Sequence, residues 1–233
     1  MKIDDIQNFA SKLESKIHFD HCLKKFSWFN IGGKTKIFFK AESLKDLIGF
    51  LKIYNNRGKI FVLGAGSNIL INDSTYDGVV IKLGKRFNNI SKLDNDLIVA
   101  GSNVLDRKVS DFSIENSIGG LEFLSCIPGT IGGGIKMNSG CYEKEFKDIL
   151  ISIQVLDYSG NVNTIPSKNI DFFYRGTNLP NDLIFLSATL KGDKTDKDKI
   201  ITKTKKLRSK KEISQPSKIK TGGSTFKNPI GKS

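Results

Sequence analysis

A chain of 233 residues that is 38% hydrophobic can bury a core in one large domain or two small ones, which excludes disorder throughout. No apolar run approaches the ~20 residues of a membrane helix, and Asp4 and Asp5 stand where a secretory signal would be basic, so a soluble, cytoplasmic protein without a membrane partner is expected. The net charge of +13 raises nucleic acid as a partner, but only five of the 37 basic residues are arginine, and positions 191–211 hold ten Lys or Arg against three Asp; a solvated helix accounts for that excess, and no nucleic-acid partner is expected.

Ile6, Phe9, Ala10 and Leu13 fall on one face at helical spacing and predict an amphipathic helix over residues 3–16. In the next segment His18 and His21 form a His-x-x-His pair with no third ligand in a recognisable pattern, so no metal site is expected. After a loop at 27–33 come a strand at 35–40 and a helix capped by Ser43, whose Leu44, Leu47, Ile48 and Leu51 are expected to face inward. Strands at 60–63 and 79–83 complete a small α/β unit over residues 1–84.

A second unit, residues 85–192, is predicted to open with a strand at 97–100 and a helix around 104–116 before a glycine-rich stretch at 119–140. Ile151, Ile153 and Val155 alternate, and Tyr158-Ser159-Gly160-Asn161 is the turn of a hairpin with 162–165; a last strand covers 183–190. Residues 193–215, with Ile200, Ile201, Thr204 and Leu207 in one stripe, predict a connecting helix, followed by a further segment at 216–233. Cys22, Cys126 and Cys141 are odd in number and widely spaced, as expected of reduced thiols.

Two loops carry the chemistry. Gly64-Ala65-Gly66-Ser67-Asn68 follows a strand, and its glycines admit an anion to backbone N–H groups. It lacks the dinucleotide fingerprint of doubly wound folds: Ile69 occupies the third glycine position, and no acid follows ~20 residues on. Taken alone it is equally well a tight turn. A second bare run, Ile127-Pro128-Gly129-Thr130-Ile131-Gly132-Gly133-Gly134, leads into Met137-Asn138-Ser139-Gly140. Together the two suit the two ends of an extended dinucleotide, with Thr130, Asn138 and Ser139 offering side-chain hydrogen bonds.

Phe29-Asn30-Ile31-Gly32-Gly33, the 64–68 loop, Gly120-Leu121-Glu122-Phe123-Leu124 leading into residues 127–134, Tyr174-Arg175 and Gly223-Ser224-Thr225-Phe226-Lys227-Asn228-Pro229 occur in an order that resembles the UDP-N-acetylenolpyruvoylglucosamine reductases. The resemblance implies an α+β fold: a two-subdomain FAD-binding domain of the vanillyl-alcohol-oxidase (PCMH) type, followed by the start of an α/β substrate domain at 216–233. It implies FAD and NADPH as cofactors and UDP-N-acetylglucosamine enolpyruvate as substrate, reduced to UDP-N-acetylmuramate for peptidoglycan. FAD would be held by Asn30, Gly64, Ala65, Gly66, Ser67, Asn68, Gly129, Thr130, Gly132, Gly133 and Asn138. Arg175 would be the catalytic cation and Ser224 the proton donor, with Tyr174, Lys227 and Asn228 on the substrate.

On residues alone, Arg175 could instead pair with Asp171, and Ser224 could be an ordinary turn residue. Thr177 stands where the family carries serine. The family's third catalytic residue, a glutamate, is expected beyond Ser233, so the alternative to a working reductase is a truncated flavin-binding remnant. An FAD-dependent oxidase on the same fold would leave the 223–229 run without a role.

Overall fold

In this computed structural model the described residues are Ile6, Phe9, 13–55 and 57–215. Ile6 and Phe9 are helical, and Ile6 is buried. The expected opening helix does not reach 16, because β1 (Lys16–Cys22) begins there and pairs antiparallel with β2 (Lys34–Ala41). Ser43 caps α1 (Leu44–Tyr54) by accepting a hydrogen bond from the Asp46 N–H at 3.1 Å. Leu47, Phe50, Leu51 and Tyr54 form the buried stripe. Leu44, expected inside, is exposed: it lies in the first turn, and Phe50 and Tyr54 complete the inner face one and two turns later.

β3 (Lys59–Val62) and β4 (Tyr76–Leu83) join β2 in parallel, giving the order β1-β2-β4-β3. Phe39 in β2 is fully buried and stacks on Phe50 with ring centroids 4.2 Å apart. Phe39→Ala is expected to cost ~3–5 kcal/mol, transfer loss plus cavity, read as a fall in the urea midpoint.

The second sheet is antiparallel. It contains β5 (Ile90–Lys92), β6 (Leu97–Gly101), β7 (Leu150–Asp157), β8 (Val162–Pro166) and β9 (Leu183–Lys191) in the order β8-β7-β9-β6-β5. β5 has no counterpart in the sequence reading, which opened this unit at 97. One face of the sheet packs Ile98, Ala100, Ile153, Ala188 and Leu190 beneath α2 (Asp106–Glu115) and α3 (Ile131–Lys136). The other sends Leu156, Ile184 and Leu186 into the core built around α1, so both units share apolar contacts through this sheet.

The basic segment forms α4 (Lys197–Ser214), capped by the Asp196 side chain. Ile200 and Thr204 are buried, Lys203 pairs with the buried Glu122 at 3.1 Å, and Arg208 pairs with Asp111 of α2 at 2.8 Å. Among the described residues no helix is long and apolar enough to cross a membrane.

Candidate active site

The 64–68 loop leaves the carboxyl end of β3 without entering a helix, where parallel strands open a crevice for ligands. Gly66 has φ +70°, and a Cβ on it would fall 1.8 Å from the Phe26 carbonyl; its own carbonyl accepts from the Trp28 N–H at 2.9 Å. The 27–33 loop is thereby clamped to the 64–68 loop. Trp28, Phe29 and Ile31 remain exposed on it, as does Asn30, which adopts a left-handed conformation at φ 56°. Gly64, Ala65 and Ser67 are half-buried and Asn68 is exposed.

Residues 127–140 are not the open loop that their glycines suggest, since α3 occupies 131–136. Ile131 and Gly132 give their N–H groups to the carbonyls of Val104 and Ser102, so Gly132 does not present its N–H to a ligand. Gly134 is required because a Cβ there would lie 2.2 Å from the Phe146 ring. Gly129 is half-buried and Gly133 exposed. The two loops approach each other: a Cβ at Gly64 would lie 2.8 Å from the Thr130 hydroxyl.

Asn138 departs from its expected role. Buried and left-handed at φ 38°, it donates through Nδ2 to the Glu145 carboxylate at 3.0 Å and the Phe173 carbonyl at 3.2 Å, and its Oδ1 accepts from the Lys147 N–H. With those partners the amide braces the loop instead of reaching for a cofactor. The same neighbourhood anchors Arg175, which sits at the tip of a two-residue turn between the paired segments 172–173 and 176–177. Its Nη1 donates to Glu145 at 3.3 Å and to the Asn138 carbonyl at 3.5 Å, its Nη2 donates to the Gly140 carbonyl at 3.2 Å, and its guanidinium lies 4.7 Å from the Tyr174 ring centroid. The partner of Arg175 is therefore Glu145; Asp171 instead accepts from Asn178 at 2.6 Å. Thr177 is buried, and its hydroxyl has no partner among the described residues.

Three residues had escaped notice. Lys82 of β4 donates to the Gly64 carbonyl at 2.7 Å, placing a cation behind the 64–68 loop; burial, then the adjacent Lys40 ammonium, lowers its pKa. Its signal was a charge inside the apolar run Val79-Val80-Ile81-Lys82-Leu83. Glu145 has no sequence signal apart from its capping partner Asp148. Asp106, fully buried at the start of α2, presses on Gly129, whose Cβ would lie 2.7 Å from its carboxylate, and neither carboxyl oxygen has a partner among the described residues. Burial pushes its pKa well above the ordinary carboxylate range.

For an acid raised in this way, the unfolded chain loses its proton first. Stability is fully present below the unfolded pKa and falls as pH rises toward the folded one. Asp106→Asn is expected to flatten that decline in a thermal-stability series run upward from pH 4 to neutrality; a profile matching wild type would count against it.

Residues 216–233, including Ser224, Lys227 and Asn228, lie outside the described residues.

The FAD binding domain family matches residues 35–165. The chain is 58% identical to the UDP-N-acetylenolpyruvoylglucosamine reductase of Pelagibacter ubique over 99% of its own length and 76% of that protein's. It is 50% identical to the Rickettsia typhi enzyme of the same name, over 91% of this chain and 72% of the other. The crystal structure of UDP-N-acetylenolpyruvylglucosamine reductase from Thermus caldophilus superposes with a TM-score of 0.79 at 27% identity, covering 94% of this chain and 77% of that one. 4-Ethylphenol oxidase from Gulosibacter chungangensis, at TM-score 0.59 and 15% identity over 83% of this chain and 43% of its own, shares the fold. With its α+β architecture and paired glycine loops, the chain belongs to the UDP-N-acetylenolpyruvoylglucosamine reductase family, which is a family of FAD-binding oxidoreductases.

Proposed function

We propose that the chain reduces UDP-N-acetylglucosamine enolpyruvate to UDP-N-acetylmuramate with NADPH as the electron source, in the cytoplasm and without a nucleic-acid or membrane partner. The observation that carries the reading is the convergence of the 64–68 loop, Thr130 and the Arg175 tether on the 129–140 segment. These residues fit FAD: the backbone is bare at Gly64 and Gly129, Lys82 stands behind the first loop, and the buried hydroxyls of Ser27 and Ser102, beside Gly66 and Gly132, have no partner among the described residues. When bound, FAD supplies the hydride that NADPH provides and the methylene carbon of the enolpyruvyl group accepts.

The chain's own residues handle charge and proton. Addition at the methylene carbon drives negative charge into the carboxylate, and Arg175 is suited to hold it, since its planar fork stays charged and takes a carboxylate bidentately. Its present bonds at 3.2–3.5 Å are long, and they orient the guanidinium while leaving it donors to offer. Tyr174 stacks against Arg175 on the substrate side, and Lys227 and Asn228 bind the same ligand. Ser224 delivers the proton to the carbon next to the carboxylate, with Lys227 stabilising the oxygen left behind. The basic α4 is a packed connector in this reading.

The test is NADPH oxidation by the purified, FAD-loaded chain, with and without the enolpyruvyl UDP-sugar. Oxidation that depends on the sugar is the expected result. No sugar-dependent oxidation, with the protein folded and FAD bound, would identify a flavin-binding protein without reductase turnover. Ser224→Ala should abolish solvent-proton incorporation into product, and unchanged turnover would remove it as donor.

A further inference from the structure

Glu145 ends the 140–145 hairpin, and its carboxylate gathers donors from three directions. Oε2 accepts from the Asn138 side-chain amide at 3.0 Å and pairs with the Lys147 ammonium at 3.1 Å, while Oε1 accepts from Arg175 Nη1 at 3.3 Å; the Asp148 N–H completes a capping box on the same side chain. Asn138 is itself fixed. It is buried, it donates to the Phe173 carbonyl as well, and its Oδ1 accepts from the Lys147 backbone N–H. The carboxylate is thus anchored at one oxygen and turned toward the guanidinium at the other.

The backbone around this cluster is strained. Among the described residues eight other than glycine have positive φ, and four of them sit here: Asn138 (38°), Tyr142 (53°), Glu143 (66°) and Arg175 (60°). Tyr142 and Glu143 fill the two central positions of the hairpin turn, where asparagine and glycine are the usual occupants. Such conformations persist where the surrounding structure holds a functional group in place.

We infer that Glu145 is a positioning residue for Arg175: it fixes the guanidinium for the transition state of enolpyruvyl reduction while lowering its attraction for the substrate carboxylate beforehand. This rests on the reductase reading, in which Arg175 takes that carboxylate. Three of the five guanidinium N–H donors are committed, two on Nη1 and one on Nη2. The two that remain, on Nε and Nη2, are the pair that a carboxylate takes side-on. Of the three acceptors that hold the fork, only Glu145 is charged. Without it Nη1 keeps a single bond of 3.5 Å to the Asn138 carbonyl, and the fork is free to turn. The charge acts on binding in the opposite sense, since it offsets the field of Arg175 and Lys147 and repels an incoming carboxylate. Removing it loosens aim and strengthens attraction. Aim counts most where charge develops, so the rate at saturation falls while affinity does not.

Glu145→Gln keeps the shape of the side chain but not its acceptors, because the amide nitrogen must face either Arg175 or the Asn138 and Lys147 donors. In the full, FAD-loaded chain reduced by NADPH, stopped-flow reoxidation at increasing enolpyruvyl UDP-sugar separates the limiting rate from half-saturation. Titrating the oxidised flavin absorbance with the same sugar gives its affinity without turnover. Limiting reoxidation should be slower than wild type by about tenfold or more. Half-saturation and the dissociation constant should be no higher than wild type's, with FAD affinity and reduction by NADPH unchanged. Glu145→Ala, which sets no new donor against Arg175, should show the same split. In an Arg175→Ala background Glu145→Gln should cost less than about twofold, because no fork remains to be aimed. A purely structural role would weaken sugar or FAD binding, or carry its full cost into the Arg175→Ala background, and either result overturns the inference. So does a wild-type limiting rate in Glu145→Gln beside a slow Arg175→Ala. Wild-type reoxidation in Arg175→Ala, or no reoxidation by the sugar in the unaltered chain, removes the reductase reading and this inference with it.

Discussion

Arg175→Ala is expected to leave the bleaching of bound flavin by NADPH at the wild-type rate and to slow its reoxidation by the enolpyruvyl substrate by about 10²–10³-fold, the usual loss when one fixed charge-stabilising group is removed from a transition state. The separation of the two half-reactions follows from position. Arg175 is bonded to Gly140, Asn138 and Glu145, near the end of the 129–140 segment, whereas Gly64 approaches Thr130 near its start, so deleting the cation proposed to serve the substrate leaves the approach of Gly64 to Thr130 standing. Arg175→Lys separates charge from geometry: a lysine keeps the charge but cannot reproduce the fork that spans Glu145 and Gly140, and it should recover only part of the rate. Stopped-flow absorbance resolves both steps, and equal reoxidation in wild type and Arg175→Ala would exclude the role.

What the sequence disclosed and concealed about this site divides along physical lines. The β2-α1-β4 core was legible because the short apolar strand runs, the Ser43 cap and Leu47 and Leu51 of the helical stripe are local signals that tertiary packing reinforced, whereas Phe50 and Tyr54 take the inner place expected of Leu44. α3 was hidden: three consecutive glycines argue against a helix, and only contacts distant in sequence, Gly134 under the Phe146 ring and Gly132 against Ser102, make it form. The meeting of the two glycine loops was readable as a shared composition, but which N–H groups face a ligand was not, since Ile131 and Gly132 commit theirs to the 102–104 segment. Asn138 looked like a ligand-binding amide and is a brace. Its neighbour Glu145 gave no signal because an acid thirty residues from Arg175 becomes its partner only after the 140–145 hairpin and the 172–177 turn have packed together.

Gly66→Ala is expected to have the largest effect on cofactor binding of any single-methyl change in the chain. Two costs coincide there. The left-handed φ of +70° disfavours any side chain by roughly 1–2 kcal/mol, and the added carbon would fall on the Phe26 carbonyl, a backbone atom that cannot rotate away. Relief requires the 24–28 segment to move off the 64–68 loop, which breaks the bond from the Trp28 N–H to the Gly66 carbonyl and shifts the exposed Trp28 and Phe29 with it. The change lies at the lip of the proposed FAD site and outside the buried faces of α1, β2 and β4. The chain should therefore still fold, with stability lowered by about 2–4 kcal/mol, while FAD affinity falls by at least about 100-fold, the equivalent of ~2.7 kcal/mol. Ser67→Ala, one residue on at a half-buried position with no such overlap, should lose less than tenfold. Flavin fluorescence titration against both variants checks the pair, and a Gly66→Ala protein that retained FAD as tightly as Ser67→Ala would mean that the clamp between the 27–33 and 64–68 loops does not shape the cofactor site.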